Sequence, residues 1–114
     1  MLSTLLLRES SQVIVIVAKS IKEGIDYVLA EHKGSVGALS GTGTPGCFKI
    51  GIHRVVVTSP RSAGRVRGLV VSSAVVLDHS AFISVYSALA PAMQVSPSPA
   101  LYTRAGQPFY ILAP

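Results

Sequence analysis

Acidic residues are absent from His32 to Leu77, the middle of a 114-residue chain. All five acids, Glu9, Glu23, Asp26, Glu31 and Asp78, lie outside that stretch. Charged residues of either sign are scarce, at 13%, about half the roughly 25% of soluble domains. Cysteine is reduced to Cys47, which cannot close an internal disulfide, so the chain does not read as a stapled secreted domain. Long apolar runs are missing as well. Val13–Ala18 is the longest strictly apolar run, well short of the about 20 residues that span a bilayer, despite a mean hydropathy of +0.54. The N-terminal MLSTLLLRESSQ has no basic region ahead of its apolar residues and is not a secretory signal pattern. These absences give the expectation of a cytoplasmic protein with no membrane partner.

What is present is a chain of one domain's length, 1–114, with 49% hydrophobic residues. So few charges cover a small globule poorly, and large exposed apolar patches are uncommon on monomers. A homo-oligomer is therefore expected. The formal net charge is +5, and the acid-free stretch holds Lys33, Lys49, Arg54, Arg61, Arg65 and Arg67 together with His32 and His53. Segregated positive charge attracts anionic partners.

Several elements are legible. Gln12–Ala18 is β-branched and almost uninterrupted, as in a strand buried on both faces. Ser20 and Glu23 form a capping box, and Ile21, Ile25, Val28 and Leu29 form one apolar stripe, predicting a helix that ends near Gly34. Residues 34–46 read as a glycine-rich loop. Cys47–Thr58 reads as one strand, Ser59–Gly64 as a turn, and Arg65–Leu77 as the hairpin partner. Asp78 is placed to cap a second helix, with a Leu77–Phe82 staple, a buried face of Phe82, Ile83, Tyr86 and Leu89, and Pro91 preventing continuation. Residues 94–100 form a Pro/Ser linker before a terminal strand or hairpin built from Leu101–Arg104 and Phe109–Leu112. Residues 1–10 are an N-terminal extension whose leucines suit an added strand or a helical turn.

In order, this is β-α-β-β-α-β. It predicts a ferredoxin-like α/β two-layer sandwich, an antiparallel sheet with two helices on one face.

Within the predicted hairpin, alternation places Lys49 and His53 on one face, and a five-residue loop brings Arg65 and Arg67 to that face with Arg61 at the tip. Lys49, His53, Arg61, Arg65 and Arg67 are thus the candidate nucleic-acid-binding residues. Arg54 falls on the apolar side and needs a bulge, a partner carboxylate or a strand end. Lys and Arg displace counterions from phosphates, whereas base recognition also needs aromatic platforms. The hairpin holds only Phe48, opposite the basic side chains, so contact with backbone phosphates and low sequence specificity are expected.

Gly41-Thr42-Gly43-Thr44-Pro45-Gly46 matches G-x-G-x-x-G, but it follows a helix and opens a strand, the reverse of the dinucleotide-binding order. Its backbone amides can still hold an anion. The alternative site is therefore Gly41, Thr42, Gly43 and Thr44, with an anionic metabolite or nucleotide bound at a subunit interface. Cys47 reads as structural, His32, His53 and His79 lack zinc-site spacing, and contiguous Asp78-His79-Ser80 cannot form a triad. No catalytic residue, metal or cofactor is expected. The function expected is that of a non-enzymatic binding protein for RNA or DNA, with a ligand-sensing domain and a self-assembling structural protein as the other readings.

Overall fold

The computed structural model describes residues 1–33, 39–41, 43–94 and 100–108. Its elements in chain order are α1 (Leu2–Leu5), β1 (Val13–Val17), α2 (Ile21–His32), β2 (Leu39–Gly41), β3 (Cys47–Ile50), β4 (His53–Thr58), a 3-10 segment (Pro60–Val66), β5 (Ser73–Val76), α3 (His79–Gln94) and β6 (Ala100–Thr103). The six strands form one sheet in the order β2-β3-β4-β1-β5-β6. β1 pairs in parallel with both β4 and β5, and β6 adds in parallel to β5. β2 and β3 extend the β4 edge in antiparallel fashion.

This mixed α/β sheet departs from the plain ferredoxin-like β-α-β-β-α-β order expected above. It is neither antiparallel throughout nor covered on one face only. Parallel neighbours require crossover connections, and a right-handed crossover changes face when the chain changes direction across the sheet. The step from β1 to β4 runs one way and carries α2. The steps from β4 to β5 and from β5 to β6 run the other way and carry the 3-10 segment and α3. Two cores result. Ile14, Ile16, Val55, Val57 and Val75 pack beneath α1 and α2 with Leu2, Leu5 and Val28. Val15, Val17, Ala74 and Val76 pack beneath the 3-10 segment and α3 with Val66, Phe82, Val85 and Leu89. The double-faced burial of β1 is what its unbroken β-branched run predicts.

Both helix starts are where the sequence places them. The Ser20 hydroxyl accepts from the Glu23 amide at 3.2 Å, and Asp78 Oδ1 accepts from the Ala81 amide at 2.9 Å. The capping box is only half used, because the Glu23 carboxylate turns to Lys19 (3.9 Å) and Arg104 (4.0 Å). Gly34 and Phe109–Leu112 lie outside the described residues, as do residues 95–99 of the linker. The glycine-rich stretch holds the edge strand β2, which an unpatterned Leu-Ser-Gly does not announce. Leu2, Leu5 and Leu6 of the N-terminal extension are buried in the chain's own core.

α3 differs from expectation twice. Its buried residues are Ala81, Phe82, Val85, Ala88, Leu89 and Ala92, while Ile83 and Tyr86 face outward, 64% and 39% exposed. It also continues through Pro91 to Gln94. A proline in the last turn forfeits one intrahelical bond, and the burial of Ala92, whose carbonyl accepts from the Val71 amide at 3.2 Å, holds that turn in place.

A small electrostatic cluster ties α1 to α2. The N-terminal amino group lies 2.6 Å from Glu31, whose carboxylate also receives the Ser3 amide and the Tyr27 hydroxyl, each at 3.3 Å. Burial alone would raise the Glu31 carboxyl, but these donors and the amino charge outweigh it and hold its pKa below 4.5. Burial pushes the Tyr27 hydroxyl up to about 12. The lowered Glu31 value contributes stability that is present above 4.5 and lost as pH falls through the folded-state value. The raised Tyr27 value contributes stability that is present below 10 and lost toward 12. Glu31→Gln is therefore expected to flatten the acid limb of a Tm-against-pH curve below 4.5. An unchanged acid limb would refute this role for Glu31.

Candidate functional site

The basic hairpin exists, but it is a different hairpin from the one the sequence suggested. Cys47–Thr58 is not one strand. It folds back at Gly51-Ile52, pairing Ile50 with His53 and Lys49 with Arg54. Gly51 takes φ +60, as glycine at the first central position of a type II′ turn does. Gly64, in the SPRSAG segment predicted as the turn, lies within 3-10 structure, and Arg65–Leu77 crosses the sheet instead of returning beside β4.

A two-residue turn changes which residues share a face. Ile50 and His53 face the α2 side. Lys49 and Arg54 face the other side, and both are exposed. His53 leaves the predicted site. It is 3% exposed, and its Nδ1 accepts from the Gln12 amide at 3.1 Å, closing the bend before β1. Arg65 is not on the sheet face either. Its Nη1 donates to the Pro45 carbonyl and, at 3.5 Å, to the Val57 carbonyl. That guanidinium braces the loop leading into β3. Arg61 and Arg67 are exposed, at opposite ends of the 3-10 segment.

Arg54 is the residue that sequence reasoning set aside, and the structure brings it beside Lys49. The glycine before Ile52 and His53 was the available signal for a turn there. The 3-10 segment starts beyond the end of β4 and runs back toward the start of β5, on the face that carries Lys49 and Arg54. Arg67 at its end therefore lies on the same side of the sheet as these two. Arg61 sits beyond the far end of β4, whose last residue, Thr58, is four residues or about 13 Å of strand from Arg54.

The ion pairs define the electrostatics. Glu31 pairs with the N-terminus, Glu23 with Lys19 and Arg104, and Asp26 with Lys22 at 3.1 Å. Every cation in these pairs lies outside residues 32–77. Among the described residues, Lys33, Lys49, Arg54, Arg61 and Arg67 have no carboxylate within 4.0 Å. Lys49 and Arg54 moreover oppose each other directly, a like-charge arrangement that costs stability.

Of the alternative loop site, Gly41, Gly43 and Thr44 are described and Thr42 is not. Gly41 ends β2, and the Thr44 carbonyl accepts from the Cys47 amide at 3.0 Å. Cys47 faces the side opposite His53, so they make no nucleophile–base pair. No three His, Cys, Asp or Glu gather as a metal site would need among the described residues, and no helix there is long and apolar enough to cross a membrane.

No protein-family model, curated protein or solved structure matches this chain.

Proposed function

We propose that this is a non-enzymatic binding protein that engages RNA or DNA through backbone phosphates with low sequence specificity. The observation that carries the reading is the set of basic side chains between His32 and Leu77 left without carboxylate partners among the described residues. Lys49, Arg54 and Arg67 on one side of the sheet make the primary contacts, with Arg61 beyond them. Arg65 and His53 support the fold instead. Phe48, the aromatic of the hairpin, faces the α2 core, so the hairpin itself offers no platform for stacking on bases. Electrostatic attachment of this kind weakens steeply between about 50 and 200 mM salt. Fluorescence anisotropy of a labelled oligonucleotide across that range tests it, and salt-independent or absent binding refutes it. We assign this binding to the cytoplasm, with no membrane partner.

The same proposal includes a homo-oligomer. α3 carries no Lys, Arg, Asp or Glu from residue 79 to 94. Its outward Ile83 and Tyr86 sit on the same side of the sheet as Val70. Val70 is 49% exposed. Cores of homodimer interfaces are depleted in charge in this way. Sedimentation at micromolar concentration is expected to give a dimer or larger, and Ile83→Glu a monomer with unchanged melting. A monomeric wild-type protein removes this part of the proposal.

A further inference from the structure

The turn of the basic hairpin carries an aliphatic side chain that the fold does not use. Ile50 and His53, the pair that closes β3 and β4, are both buried. Between them Gly51 and Ile52 are exposed, Ile52 by 54%. Ile52 belongs to neither core. A lone exposed aliphatic is ordinary on a protein surface. This one stands between two unpaired cations on a rigid support.

The cations are Lys49 and Arg54, which oppose each other one pair behind the turn. Ile52 is two residues from Arg54 and three from Lys49 in the chain, so the hairpin itself brings the three together. Both cations are exposed, with no carboxylate within 4.0 Å among the described residues. The support is the sheet. β4 is paired on one side with β3 and on the other with β1. Val13, the first residue of β1 paired with β4, stands opposite Arg54. Ile52 therefore lies two residues, or about 7 Å of strand, beyond that pair. His53, next to Ile52, is tied through Nδ1 to the Gln12 amide at 3.1 Å. Isoleucine is itself stiff at χ1. The tip is thus a narrow apolar point with little conformational freedom to lose on contact.

This combination suits duplex DNA better than a single strand. Single strands are held on aromatic side chains, and Phe48 of the hairpin is turned to the α2 core. Duplex RNA is recognised mostly by shape and by its 2′-hydroxyls. Aliphatic side chains serve a different purpose on DNA. In the minor groove they enter between neighbouring base pairs, partly unstack them and kink the duplex, while basic residues hold the phosphates.

We propose, resting on the phosphate-binding reading above, that the nucleic acid is duplex DNA and that Ile52 is a minor-groove wedge. The Ile52 side chain enters one base step, Lys49 and Arg54 hold phosphates beside it, and the duplex bends toward its major groove. Such a wedge responds to how easily a step opens, not to the identity of its bases, so low sequence specificity is retained.

The test is energy transfer between dyes at the two ends of a duplex of about 25 base pairs with a central TA step, which kinks easily. Saturation with the intact chain is expected to shorten the distance between the ends. Ile52→Ala is expected to bind this duplex about tenfold more weakly and to leave it straight, as loss of one buried aliphatic contact implies. Its salt slope should equal that of the wild type, because no phosphate contact is lost. Ile52→Leu, which keeps an aliphatic tip, should still bend the duplex. A single strand of the same sequence should bind wild type and Ile52→Ala alike. Ile52 is exposed, so both variants should melt like the wild type. Binding of the duplex without bending, or bending by Ile52→Ala equal to that of the wild type, overturns the proposal. So does tighter binding to the single strand, or to vesicles of phosphatidylserine and phosphatidylcholine, than to the duplex. A salt-dependent affinity that survives any of these results leaves phosphate attachment at the basic surface standing. Absence of all oligonucleotide binding removes both proposals.

Discussion

Changing Lys49, Arg54 and Arg67 together to alanine is expected to lower oligonucleotide affinity by about two orders of magnitude at ~50 mM salt. The slope of log affinity against log salt should also fall, by about two units on a single strand and nearly three on a duplex, as expected when three phosphate contacts are lost. The loss should be similar for unrelated sequences, because phosphate contacts position a nucleic acid without reading it. Melting separates this outcome from damage to the fold. Lys49 and Arg54 repel each other across β3 and β4, so the variant should melt no lower than the wild type. His53→Gln is the informative contrast. It disturbs the contact with the Gln12 amide, lowering stability while leaving the salt slope unchanged. If the triple variant keeps full affinity and slope, the basic surface is a solvated edge and the functional proposal is wrong.

The second large effect concerns packing. Glycine inside a helix costs about 1 kcal/mol relative to alanine, so Gly24→Ala would ordinarily stabilise α2. The contact with the sheet reverses the sign. A Cβ at Gly24 would overlap Val57 Cγ1 outright and lie 3.1 Å from Val57 Cγ2. Val57 is fully buried on β4 and has little rotamer freedom to yield. Gly24→Ala is therefore expected to destabilise by about 1–3 kcal/mol, as overpacking does. Val57→Ala alone should cost about 2 kcal/mol through the cavity it leaves. Together the two changes exchange volume across one contact, and the double variant should lose at least about 1 kcal/mol less than the sum. Urea unfolding of the four proteins measures this coupling. Strict additivity would show that the approach of α2 to β4 is not what excludes a side chain at position 24.

The parts legible in the sequence are those set by neighbouring residues. Ser20 and Asp78 start helices because a side chain three positions back satisfies an orphan amide, wherever the helix then packs. Val13–Val17 is a strand because its β-branched residues favour extended backbone. The misread parts depended on partners distant in sequence. Gly51 inside CFKIGIHRVVVT looked like a strand interior, since alternation on either side of it continued plausibly. Moving the turn there reassigned every side chain in the hairpin, because a change of register or reversal point moves residues between faces. Ile83 and Tyr86 followed helical spacing, but the buried stripe of α3 is centred on Val85 and Leu89, and only the position of the sheet beneath the helix decides that. A strand buried on both faces was already a sign of helices on both faces, at odds with a two-layer fold.

By itself the sequence determined the charge segregation, the helix starts and the central apolar strand, because each follows from local chemistry or from counting. Tertiary structure alone decided which cations are free. The acids Glu23, Asp26 and Glu31 pair with cations outside the acid-free stretch, so Lys49, Arg54, Arg61 and Arg67 remain without carboxylate partners among the described residues. It also decided that Arg65 belongs to a loop brace and that His53 belongs to the core. Ion pairing and burial are properties of distance, and distance between residues far apart in a chain is fixed only by how the sheet is ordered.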